Sequence, residues 1–290
     1  MPKKERRIQM KKIVTIQDVS CVGKCSITVA LPIISSMGIE TAVIPTAVLS
    51  THTMFNNFTY RDLSNDIPKI AEHWKKEKFE FDAIYTGYLG SIEQIDILKD
   101  FFDKFKTDNN FIFVDPVMGD DGKLYPGFNQ EFALQMKEFC KKADIIVPNL
   151  TEVSYMLERE YKENYSQEEI KELLIELSNL GPKQVIITGV RFGENELGIM
   201  SYDRETNKFF SYYKEKIPGK YHGTGDIFAS TLVGAIVKGN TLEESLKITV
   251  DFVWETINDT YLNNKENCYG VNFENKIPYL INKLQNKNEV

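Results

Sequence analysis

Histidine and cysteine are scarce in this sequence, three of the first and four of the second in 290 residues. His52, His73 and His222 lie far apart and match none of the spacings that metal ligands adopt, so a zinc enzyme is not expected. Cys21, Cys25, Cys140 and Cys268 form neither a redox CxxC pair nor a zinc knuckle, which favours a reduced, cytoplasmic setting with buried, inert thiols. Excess positive charge is also missing. With 35 Lys and Arg against 42 Asp and Glu the net charge is -7, so no general attraction to nucleic acid or to anionic membrane is available, and neither is an expected partner. Any phosphate must be held locally. The basic opening MPKKERRIQM runs into a short strand-like stretch rather than a long apolar one. It reads as a solvated, disordered arm over 1–11, not as a signal peptide or a membrane anchor. No linker, repeat or low-complexity segment follows, so 12–290 is expected to be a single domain.

What is present is an ordinary globular balance, 42% hydrophobic and 27% charged. Short apolar, β-branched runs alternate with longer stretches of helical period, the pattern of parallel strands joined by crossover helices. The expected strands are Lys12–Ile16, Thr41–Val48, Asp82–Thr86, Phe111–Asp115, Ile145–Pro148 and Gln184–Thr188. Helices are expected between them at about 26–37, 66–78, 92–106, 130–141, 151–159 and 167–180. After Thr188 the pattern becomes a meander, Leu197–Tyr202 and Phe209–Glu215, before helices at Thr224–Lys238, Leu242–Leu262 and Phe273–Leu284. The fold class is therefore α/β, a doubly wound and mostly parallel central sheet flanked by helices in three layers. In such sheets ligands collect at the carboxyl ends of the strands.

Four stretches there carry possible chemistry. His222-Gly223-Thr224-Gly225-Asp226 precedes an apolar run that reads as a buried helix. Its glycines let backbone N–H groups converge at a helix start and favour an anion. Asp226 opposes a resting phosphate but suits one in transit, as acceptor of a proton from the attacking hydroxyl; alone, it is equally a helix-start carboxylate stabilised by the dipole. Asp115-Pro116-Val117-Met118-Gly119-Asp120-Asp121-Gly122 ends a buried strand with carboxylates that can hold Mg2+ directly or through water. Asp121 is expected to be a solvated turn residue. Asn149 and Glu152 face one side of a helix start, either as ligands of a hydrated metal or as an N-cap with an acidic third residue. Thr188-Gly189 follows a strand and offers a hydroxyl and close backbone to a nucleotide phosphate. The segment 120–128 is Gly- and Pro-punctuated and suits a mobile flap or a static loop.

In this order, DPVMGD, NLTE, ITG and HGTGD resemble the ribokinase-like superfamily and its vitamin kinases. TIQDVSCVG, PTAVLSTHT and YTGYLG look like the pyridoxal kinase branch, over about Lys12 to Leu284. The resemblance implies transfer of the ATP γ-phosphoryl group to the 5′-hydroxymethyl of a B6 vitamer, pyridoxal, pyridoxine or pyridoxamine, with Mg2+ and a monovalent cation, K+, in a homodimer. It further implies Asp226 as base and Gly223, Thr224 and Gly225 as anion hole. Thr46, His52 and Tyr88 would surround the pyridine ring with Asp18. Asp115, Asp120, Asn149, Glu152, Thr188, Gly189 and the mobile-loop Tyr125 would serve ATP, with Asp115 and Glu152 toward the metal. Two departures stand out: Asp18 replaces a serine common in pyridoxal kinases, and Val48 an often polar residue. Asp18 is also similar to the early motif of hydroxymethylpyrimidine kinases, the alternative activity, and a carboxylate there suits an amine-bearing or ring-protonated substrate, pyridoxamine among them. A catalytically silent vitamin- or nucleotide-binding regulator is the non-enzyme alternative.

Overall fold

The computed structural model describes residues 10–193, 195–263 and 269–285. Except for Met10 and Lys11, the expected arm lies outside the described residues, as does Cys268.

The strands are β1 Lys12–Ser20, β2 Glu40–Leu49, β3 Tyr60–Asp62, β4 Ala83–Thr86, β5 Phe111–Val114, β6 Gly119–Asp120, β7 Lys123–Leu124, β8 Ile145–Ile146, β9 Gln184–Val190, β10 Glu196–Asp203 and β11 Lys208–Glu215. The helices are α1 Ile27–Ser36, α2 Ile67–Lys76, α3 Ile92–Phe105, α4 Gln130–Cys140, α5 Leu150–Met156, α6 Gln167–Leu180, α7 Thr224–Val237, α8 Leu242–Asn263 and α9 Ile277–Gln285, the last preceded by a 3-10 turn, Glu274–Lys276. Nine strands form one sheet in the order β11-β10-β9-β8-β5-β4-β1-β2-β3. The central pairs from β2 to β9 are parallel, while β3, β10 and β11 join antiparallel at the edges. The expected three-layer architecture is the observed one.

Alternation along each buried strand builds two cores, because successive side chains point to opposite faces. Val14, Ile16, Ile84, Ile112, Val114 and Ile187 join the layer containing α2 to α6. Ile13, Ala83, Tyr85, Phe113 and Ile186 join the layer of α1, α7, α8 and α9. Such strands carry apolar residues on both faces, as crossover sheets require.

Two differences from the expected elements matter for the site. The first strand continues from Ile16 to Ser20, through buried Gln17, Asp18 and Ser20. Its pairing to β2 slips between Gln17 and Val19, a bulge that re-aims Asp18. Polarity hid this extension, because the apolar run ends while the backbone pairing does not. Conversely, the strand at Ile145 stops at Ile146, since Pro148 lacks a donor and Asn149 already caps α5. Edge strand β3 and the hairpin β6–β7 are too short for periodicity to reveal. The hairpin makes part of the 120–128 segment regular rather than a plain loop. Among the described residues no helix is long and apolar enough to cross a membrane.

Candidate active site

The carboxyl ends of β1, β2, β4, β5, β8 and β9 converge with the first turn of α7. Gly223 is the N-cap of α7 at φ 80°, the left-handed region, and a Cβ there would meet the Lys24 carbonyl oxygen at 2.2 Å. Only glycine fits both demands. The N–H groups of Thr224, Gly225 and Asp226 then open the helix without intrahelical acceptors, leaving positive potential at the cleft.

Asp226 lies in that first turn. Burial raises its carboxyl from 3.8 to about 7; the Ser26 N–H facing it lowers the value and the Asp18 charge raises it. Asp18, 4% exposed, accepts the Ser26 hydroxyl at 2.5 Å and the Ser20 hydroxyl at 3.0 Å. Its pKa is raised by burial against these hydrogen bonds. Ser26 thus serves both carboxylates, one through its backbone and one through its side chain. It does so from φ 50°, an unfavourable conformation for a residue with a Cβ. No sequence signal marked Ser26.

Asp115 is buried at the end of β5, and its pKa is pushed well up by burial and by the Asp226 charge. Glu152, 3% exposed, sits behind it with its pKa raised by burial and by Asp115. Its Oε1 accepts the Met118 N–H at 3.1 Å and its Oε2 the Asn149 N–H at 2.8 Å, while Asn149 Oδ1 accepts the Glu152 N–H at 3.0 Å. This is a full capping box, so the local structural role of the Asn149–Glu152 pair is realised. Asn149 Nδ2 also donates to the Gly119 carbonyl at 2.8 Å, tying the hairpin to α5. Thr188 pairs with Asn149 in an isolated parallel bridge, which brings the half-buried hydroxyl and exposed Gly189 alongside.

Asp120 is the second residue of β6, its pKa raised by burial, and Tyr125 follows β7 with its phenol raised by burial and then by Glu152, Asp120, Asp226 and Asp115. The hairpin therefore brings Tyr125 over the carboxylates. Its tip residue Asp121 is the exposed turn residue expected, in a surface ion pair with Lys220, just upstream of the anion-binding turn. Phe128, beyond the hairpin, lies 5.6 Å from the Tyr88 ring.

The second half of the cleft holds Asp18, Thr46, His52 and Tyr88. Thr46 is 1% exposed with an unpartnered hydroxyl. The His52 and His222 rings lie 4.5 Å apart, tilted at 39°; burial lowers the pKa of both, and the second falls to about 4. Both rings are therefore neutral near pH 7. Tyr88 has a phenol raised to about 12 by burial and the Asp18 charge. Gln94, 0% exposed, fixes this half: Oε1 accepts the Gly90 N–H at 2.8 Å, and Nε2 donates to the Thr46 carbonyl and the Ser64 hydroxyl at 3.1 Å each. The sequence reading missed Gln94, although Ser91-x-x-Gln94 is a helix-start signature and Ser91 does cap α3. Tyr60 and Asp62 on β3 were missed for want of any period. Cys25 is buried with its thiol pushed up by burial and then by Asp226 and Asp18, whereas Cys21 is exposed, contrary to the expectation that both are buried. It lies beyond the end of β1, where the chain turns outward.

The site thus combines a free helix N-terminus, a carboxyl poised near neutrality and a second, buried carboxyl beside it. A sequence profile of phosphomethylpyrimidine kinases matches residues 31–271. The chain belongs to this kinase family. Its fold is the ribokinase-like one that the motif order implies. It is 40% identical to a solved protein from Bacteroides thetaiotaomicron, described provisionally as a phosphomethylpyrimidine kinase and crystallised with pyridoxal. That match covers 94% of this chain and 96% of the other at a TM-score of 0.90. The Dictyostelium discoideum pyridoxal kinase is 27% identical over 279 residues, 89% of this chain and 91% of that protein. A hydroxymethylpyrimidine/phosphomethylpyrimidine kinase of Aquifex aeolicus is 27% identical over 185 residues, 63% of this chain and 70% of that protein.

Proposed function

We propose that this kinase transfers the ATP γ-phosphoryl group to the 5′-hydroxymethyl of a vitamin B6 vitamer. The observation that carries the reading is Asp226, a carboxyl at about 7 in the first turn of α7, next to N–H groups without intrahelical acceptors. The similarity to pyridoxal kinases over most of the chain supports the substrate class.

Asp226 takes the proton of the substrate hydroxyl as its oxygen bonds to the γ-phosphorus. The bond from that phosphorus to the β,γ-bridging oxygen breaks, and ADP leaves. The N–H groups of the Gly223–Gly225 turn meet the charge on the moving phosphoryl group. Thr188, Gly189 and Asn149 line the nucleotide side, and Tyr125 on the hairpin covers the phosphates. Asp18, Thr46, His52 and Tyr88 hold the ring. The neutral His52–His222 pair couples that ring to the anion-binding turn.

Residues for Mg2+ fit in part. Asp115 is without a hydrogen-bond partner among the described residues, and its elevation by burial and by the Asp226 charge marks a place where positive charge is favoured. Both Glu152 oxygens already accept backbone N–H groups, so it would serve through water. No group of three or more His, Cys, Asp or Glu forms a cage among the described residues, consistent with an ion held by one or two carboxylates and substrate phosphates. When bound, the ion would neutralise phosphate charge. K+ dependence and a homodimer carry over from the resemblance, and a cytoplasmic site of action from the few, scattered cysteines.

Asp18 favours the second reading, an aminopyrimidine kinase. Initial rates of ADP release with ATP and Mg2+ should separate the two across pyridoxal, pyridoxine, pyridoxamine and 4-amino-5-hydroxymethyl-2-methylpyrimidine. The B6 reading expects kcat/KM for at least one vitamer to exceed that for the pyrimidine tenfold or more; the reverse order overturns it.

A further inference from the structure

Edge strand β3 brings two polar side chains to the ring end of the cleft that no motif assigns. Tyr60 pairs opposite Leu49 and Asp62 opposite Ala47, so both lie on one face of β3, beside the strand that carries Thr46. The Tyr60 hydroxyl is at the Tyr88 loop: a Cβ on Gly90 would lie 3.0 Å from it. The charges of Asp62 and Asp18 and the phenol of Tyr88 all act on it.

Its hydrogen-bond polarity is fixed from behind. Tyr60 donates its proton to Asp62 Oδ2 at 3.2 Å, and Asp62 Oδ1 accepts the Ser64 N–H at 2.7 Å. Gln94 Nε2 lies 3.5 Å from the same Oδ2, its two protons shared with the nearer Thr46 carbonyl and Ser64 hydroxyl, so the Ser64 N–H is the main anchor of the Asp62 carboxylate. With its only proton directed at Asp62, the Tyr60 oxygen presents lone pairs to the cleft. Asp18, which receives the Ser20 and Ser26 hydroxyls, is a second acceptor nearby. A substrate substituent bearing N–H groups satisfies such acceptors, whereas an aldehyde oxygen confronts them lone pair to lone pair.

We propose that Tyr60, with its polarity set by the positioning residue Asp62, is a specificity determinant that selects an aminomethyl-bearing ring over its aldehyde counterpart. This rests on the B6 kinase reading and deepens it. A site built to pair a polar substituent discriminates strongly against an analogue that leaves its groups unpaired.

The experiment compares kcat/KM for pyridoxamine and pyridoxal in the parent enzyme, Tyr60→Phe and Asp62→Asn. Phenylalanine deletes the acceptor at a half-exposed edge position without touching the core. In Asp62→Asn the Ser64 N–H retains the amide oxygen, so the amide nitrogen faces Tyr60, donates to it, and turns the tyrosine proton toward the cleft. The parent enzyme should prefer pyridoxamine. Tyr60→Phe should cut the pyridoxamine-to-pyridoxal ratio roughly tenfold, as should Asp62→Asn, the latter with pyridoxal turnover held or raised, while KM for ATP stays constant. A parent enzyme that prefers pyridoxal, or a ratio that changes less than threefold in both variants, overturns the proposal. A parent enzyme that phosphorylates neither vitamer overturns the B6 kinase reading itself, a separate outcome visible before any variant is made.

Discussion

Replacing Asp226 by asparagine should damage catalysis and improve stability at the same time, and the second effect should depend on pH. The carboxyl rises from 3.8 to about 7 in the folded protein, chiefly through burial. A raised carboxyl contributes fully to stability below about pH 4, where both folded and unfolded chains are protonated, and that contribution is lost as pH rises through about 7. The rise of about three pH units corresponds to roughly 4 kcal/mol at 1.36 kcal/mol per unit. Because the side chain opens onto the cleft, solvent screening reduces this to about 2 kcal/mol. Asparagine stays neutral and still accepts the Ser26 N–H. Its advantage in Tm over the parent should therefore grow between about pH 5 and pH 8, by roughly 2–4 °C for a chain of this size. In the same variant phosphoryl transfer should fall about 10²–10⁴-fold with ADP binding retained. The parent kcat/KM should drop about tenfold per pH unit below about 7, since only the ionised carboxyl accepts a proton. The assays are thermal melts at both pH values, ADP titration calorimetry and initial rates. A pH-independent difference in Tm, or near-parental turnover, would refute the reasoning.

Two further outcomes test the scaffold around this residue. Gly223→Ala combines a φ of 80° with a Cβ 2.2 Å from the Lys24 carbonyl, so it should cost about 2 kcal/mol or more and lower kcat by displacing the first turn of α7; a parental Tm with parental kcat would count against the turn as described. Gln94→Leu strands the Gly90 N–H and releases the Thr46 carbonyl, costing about 1–3 kcal/mol. Its KM for the vitamer should rise several-fold more than its KM for ATP, and equal changes in both would mean that Gln94 does not position the ring half of the cleft.

Much of this was legible along the chain. Alternating apolar runs gave the parallel sheet, since a strand covered on both faces must be apolar on both, and the central strands around Ile84, Ile112 and Ile186 follow that pattern. Glycines bracketing Thr224 marked the helix start, because only glycine reaches the left-handed region freely. For Asn149 and Glu152 the sequence left two roles open, and geometry shows both Glu152 oxygens engaged by backbone donors.

What the sequence by itself determined is the set of local backbone solutions: strands, helix caps and the turn at Gly223. They depend on the properties of neighbouring residues, so a short window contains the cause. Only the tertiary structure decided which charges meet. Asp226 approaches neutrality because burial and, to a lesser degree, the charge of Asp18, far away in the chain, act on it together. Ser26 and Gln94 matter through partners on other elements, and Tyr60 has its polarity set by Asp62 in a three-residue edge strand without a readable period. Electrostatic and hydrogen-bond coupling falls off with distance in space, not in sequence, so the chemistry of the cleft became readable only once the strand ends were brought together.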